Sequence, residues 1–147
     1  RKAAEIYDLV FIDLPKTANY KYIKDTLADS EIVVCTVNQD VVKLDQFFEK
    51  VQKIDELKEK NVIYVISDYE NKSKFNISNI KIKYRIKDEI YAVPHNFVFT
   101  DACNSGDVIN FFYKNINSDP KDYNGYFISK TNEIVSKIFE LSKLKDN

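Results

Sequence analysis

Glycine is nearly absent from this chain: of 147 residues only Gly106 and Gly125 are glycine. A loop that cradles phosphates needs several glycines, usually with a lysine. Neither G-x-x-x-x-G-K-[ST] nor G-x-G-x-x-G occurs here. These residues therefore do not supply the grip on a nucleotide's phosphates. Cysteine is just as scarce. Cys35 and Cys103 are too few and too far apart for a metal knuckle, and neither lies in a C-x-x-C. Cys35 falls inside an apolar run and reads as a small buried hydrophobe. Two such thiols suit a reducing, cytoplasmic setting. Also missing are a secretory signal and any run of about 18 apolar residues able to span a bilayer. Charge of one sign is lacking as well. The net charge of −1 gives no global field that would announce nucleic acid. The chain opens on Arg1 rather than Met, directly on a short amphipathic piece. From this we expect an upstream half.

What is present is an apolar, aromatic-rich chain, 44% hydrophobic, long enough to bury the core of one domain spanning 1–147 without staples. The run Leu9 to Ile12 reads as a strand buried on both faces, ending in Asp13 and stopped by Pro15. Ligands of open α/β sheets lie beyond the carboxyl ends of the strands, so an Asp there suits a metal-bound water or a phosphate. The alternative for Asp13 is a simple turn cap.

After a polar loop, a helix is expected from Tyr20 to Leu27, then a second strand from Glu31 to Val37. Asp40 is placed to cap a helix over Val41 to Lys60, whose apolar residues recur every three or four positions. Val62 to Ile66 is a third strand, delivering Ser67-Asp68 at its end. Residues 77–88 carry two patterns. Ile80, Ile82, Tyr84 and Ile86 alternate as in a strand, while Ile77, Ile80 and Tyr84 share a helix face. The unbroken α/β order favours helix. Glu89 to Val93 is a fourth strand, stopped by Pro94 and presenting His95-Asn96. Phe97 to Cys103 reads as an irregular connector, Asp107 to Lys114 as a short helix begun at Ser105 or Gly106, and Pro120 to Leu144 as a last helix. The fold class is α/β, a three-layer sandwich with a mainly parallel sheet.

Four strand ends, at Asp13, Asn38, Asp68 and Pro94-His95-Asn96, would open on one edge. Strand ends are commonly polar in any case, since the chain leaves the core there. His95 is the only histidine. Catalysis by one histidine needs an oriented partner, which the sequence does not reveal. The basic residues Lys81, Lys83, Arg85 and Lys87 read as a solvated face, with contact to DNA phosphates as the alternative.

Tyr7-Asp8-Leu9-Val10-Phe11-Ile12-Asp13-Leu14-Pro15 resembles the Walker B segment of the ParA/MinD family of deviant-Walker P-loop ATPases. Val33 to Val37 with its following long helix, Val93-Pro94-His95-Asn96, and Asp101 to Gly106 resemble the family at corresponding places. The resemblance implies a partial P-loop NTPase-like fold. It places Asp13 near Mg²⁺ through a water, and Asp68, Pro94, His95 and Asn96 beside the adenine of ATP. It further implies a nucleotide-sandwich homodimer that partitions DNA, which it would bind without sequence specificity, or positions a protein cargo. The family's lysine-bearing P-loop has no counterpart in these residues, Lys16 stands where the family has glycine, and Ser67 where it has asparagine. ATP and Mg²⁺ are thus expected only together with an upstream P-loop. Two other readings remain: a degenerate, non-catalytic ATPase-fold module that binds a protein partner, and a receiver-like domain phosphorylated on Asp13. For the receiver, twelve residues before Asp13 leave little room for the acidic pair that would hold its Mg²⁺.

Overall fold

A computed structural model describes residues 5–14 and 19–142. Its centre is β2 (Asn61–Tyr69), in which every residue from Val62 to Ile66 is buried. β1 (Ile32–Asn38) and β3 (Glu89–Pro94) flank it, and both pairings are parallel, in the order β1-β2-β3. A strand covered on both faces must be apolar throughout, and the Val-Ile-Tyr-Val-Ile run meets that demand. Val62, Tyr64 and Ile66 pack against Leu27, Leu44, Phe48 and Ile80. On the opposite face Ile63 and Val65 meet Ile134 and Ile138. Helices thus cover both faces of a parallel sheet, the α/β arrangement expected from the alternating elements.

One expected strand is not there. Residues Leu9 to Ile12 are irregular, and Phe11 is 74% exposed. An apolar composition specifies burial but not a partner, and a strand persists only on a free ladder edge with its faces covered. Asp13 therefore does not end a sheet strand here; it is exposed in an irregular segment. Pro15 and Lys16 lie outside the described residues.

The first helix, α1 (Tyr20–Asp29), is capped by the Asn19 side chain, which accepts from the Tyr22 N–H at 2.9 Å. α2 (Val41–Val51) starts as expected on Asp40, which accepts from the Lys43 N–H. It stops nine residues short of Lys60, at Val51. Ile54 becomes extended, and a single 3₁₀ turn, Asp55–Leu57, drops Leu57 into the core. Glu56 on that turn pairs with Lys24 of α1 at 2.8 Å. No glycine or proline marks the break; tertiary packing sets it.

α3 (Ile77–Tyr84) resolves the ambiguous stretch in favour of helix. Asn76 caps its start, accepting from the Asn79 N–H at 3.0 Å, and Ile77, Ile80 and Tyr84 turn inward. Ile82 is given up to solvent, which breaks the strand-like alternation. α4 (Phe97–Ser105) corrects the expected connector, since Asn96 caps it and Gly106, at φ 72°, ends it rather than starting the next helix. Aromatic and β-branched residues are modest helix formers. Here Phe99 earns its place by packing on Phe111 and Phe127. α5 (Val108–Asn115) and α6 (Tyr123–Leu141) follow. Pro120 sits in the turn before α6, not in its first position, and the expected end at Leu144 lies outside the described residues. Gly125 is required by close approach: a Cβ there would fall 1.9 Å from the Asp119 carbonyl oxygen.

Candidate functional site

Because β1, β2 and β3 are parallel, their carboxyl ends share one edge. Gln39, just past β1, ties that edge together. Its Oε1 accepts from the Glu70 N–H at 2.8 Å, while its Nε2 donates to the Glu70 and Phe75 carbonyls at 3.1 and 2.8 Å. Three bonds from one side chain fix the loop that leaves β2. A lone Gln after a strand carries no motif, so only the fold reveals this role of Gln39.

Asp68 stands at an irregularity in the β2–β3 ladder, between Ile66 and Tyr69, with φ 51°. Such a conformation costs a non-glycine residue roughly 1–2 kcal/mol, though aspartate tolerates it better than most. The kink aims the carboxylate across to β3, where Asp68 Oδ1 lies 3.2 Å from His95 Nδ1. Both side chains are more than half exposed. The oriented partner that the sequence did not reveal for His95 is therefore Asp68. The bulge joins two strand ends that lie 27 residues apart in the sequence.

Behind this pair the helix start is rigid. Tyr123 Oη accepts from the Phe97 N–H at 3.0 Å and donates to the His95 carbonyl at 3.3 Å. Its ring stacks on Phe97 with centroids 5.1 Å apart. Asn96 is only 3% exposed. Its Oδ1 accepts from the Phe99 N–H at 2.8 Å, and its Nδ2 donates to Asn124, which in turn donates to Asn115. The Asn96 side chain is thus committed to holding α4 against α5 and α6. Pro94 closes β3 opposite Tyr69. Asp68, Pro94, His95 and Asn96 are brought together on one edge; Asp13 lies in the irregular stretch, not at a strand end of this sheet.

Chemically, the edge offers one carboxylate, one imidazole and exposed aromatic faces. Among the described residues no group of three or more His, Cys, Asp or Glu side chains could hold a metal ion. Cys35 adds no nucleophile of note. Burial, with the Asp88 charge adding to it, pushes Cys35 up to about 11, so it remains a thiol at neutral pH. No helix among the described residues is long and apolar enough to cross a membrane. Compared with known proteins, the chain matches no family model, no curated protein and no solved structure.

Proposed function

We propose that this chain forms the base-binding side of a ParA/MinD-like ATPase, acting in the cytoplasm to partition DNA or position protein cargo as a nucleotide-sandwich dimer. On this reading Asp68 and His95 border the adenine, with Pro94 and Asn96 setting their backbone. Mg²⁺ and the ATP phosphates are held by a P-loop outside these residues. The observation that supports it best is the αL bulge at Asp68, which holds a carboxylate against His95 at the carboxyl edge of a parallel sheet. A residue held in this way suits hydrogen bonding to the rim of a planar base.

The chain by itself should bind ATP too weakly for calorimetry, so the test is residue-resolved. Adenosine titrated to millimolar levels into isotope-labelled chain should shift the amide signals of Asp68, His95 and Phe97. Those of Arg85 to Asp88, at the opposite end of the sheet, should stay fixed. Silence at the carboxyl edge would remove the nucleotide reading.

One observation favours a second reading, the non-catalytic interaction module. Asp13, the residue meant to serve Mg²⁺, sits exposed in an irregular segment. That same placement takes away the premise of a receiver-like domain, which needs its Asp at a strand end. Non-specific DNA contact through the basic residues is weakened by an ion pair, since Lys83 is engaged by Asp45 at 2.8 Å.

A further inference from the structure

Two features of the fold fit each other. Among the described residues β3 pairs only with β2, which leaves its outer edge without a ladder. Along that edge runs an open groove of about 470 Å³, floored by Ile90, Tyr91 and Ala92. The first turn of α3 walls one side and Tyr126 with the Lys130–Glu133 ion pair of α6 walls the other. A strand laid there would have both faces covered. Meanwhile Tyr7 to Ile12 forms an irregular run whose Tyr7, Val10, Phe11 and Ile12 are all exposed. Both alternate sets of that run are mainly apolar: Tyr7, Leu9 and Phe11 on one, and Val10 and Ile12 with Asp8 at its start on the other. A two-faced apolar strand suits a two-walled groove.

The β1 edge is a poorer match. Val34 there is 40% exposed and Thr36 is exposed, so one face of an added strand would meet water. In the described molecule the run neither pairs with β3 nor lines its groove.

We infer that the Tyr7–Ile12 run of a second copy adds as a strand to the outer edge of β3, and that reciprocal exchange gives a two-fold dimer. Main-chain hydrogen bonds supply affinity, while Phe11 and its neighbours supply register. The inference does not depend on nucleotide.

Sedimentation of the full chain across micromolar to millimolar concentration tests it, together with amide exchange. Self-association should rise with concentration, and the amides of Ile90 to Ala92 should slow with it. Phe11→Asp, at an exposed position that the fold does not need, should weaken association about tenfold or more. Tyr126→Glu, on the groove wall, should do the same. Circular dichroism confirms that each variant stays folded. A chain monomeric throughout, or a dimer indifferent to both substitutions, overturns the inference. So does concentration-independent protection of β3 in a monomer, which would put the chain's own run in the groove.

Discussion

Arg85 takes φ 53° and ψ 41° to end α3, with its N–H donating to the Ile82 carbonyl and that of Ile86 to the Lys81 carbonyl. This is the backbone that glycine adopts at no steric cost, and the chain places arginine there. Arg85→Gly should therefore stabilise the fold by about 1 kcal/mol, read as a higher urea midpoint. No change would mean that the arginine side chain contributes as much as its backbone loses. Asp68 is the contrasting case. Its left-handed backbone is joined to a specific contact with His95, so relief of strain there would remove the geometry of the edge. Neither conformation was legible in the sequence. Positive φ at a non-glycine residue is imposed by what surrounds it, and its neighbours in sequence carry no mark of it.

At the scale of elements, side-chain caps decide where helices begin. Asn19, Asp40, Asn76 and Asn96 each accept an N–H from the residue three further on. Asp40 was readable because a strong apolar period follows it. Asn96 was not, because Phe97 to Cys103 shows no clear helical face until Phe99 meets Phe111 and Phe127. Asn96→Ala should cost about 2–3 kcal/mol, combining a lost cap with an Asn124 left short of a partner. Hydrogen exchange in the first turn of α4 should accelerate more than elsewhere. A loss spread evenly over the molecule would argue against the capping role. The early end of α2 follows the same logic. Nothing in Gln52-Lys53-Ile54 breaks a helix, yet the turn lets Leu57 reach the core and Glu56 reach Lys24.

For the whole molecule, the sheet core carries a pH response. Cys35 and Tyr64 are paired neighbours on β1 and β2 and belong to the same hydrophobic cluster. Burial raises both, Cys35 from 9.0 to about 11 and Tyr64 from 10.0 to about 12. A group whose folded pKa lies above its unfolded value stabilises the fold fully below the unfolded value and loses that contribution as pH rises. Stability should accordingly be flat in this respect below pH 9 and fall between 9.0 and about 11 as the unfolded thiol ionises first. The loss from Cys35 is at most about 1.4 kcal/mol for each pH unit crossed. Denaturant titrations across that window check it, and Cys35→Ala should flatten the curve. An unchanged slope in that variant would assign the alkaline loss elsewhere.

By itself the sequence determined the alternation of strands and helices, three of the strands, the cap at Asp40 and the placing of Asp68, Pro94 and His95 at strand ends. Those follow from hydrophobic period and from residues whose preferences are local. Tertiary structure alone decided that Leu9 to Ile12 stays out of the sheet, that α4 is a helix, and that Asp68 reaches His95. The reason is the same each time. A strand needs a ladder to join, a weak helix needs something to pack on, and a bulge needs a neighbouring ladder to slip against. Each of these is supplied by residues far away in the chain.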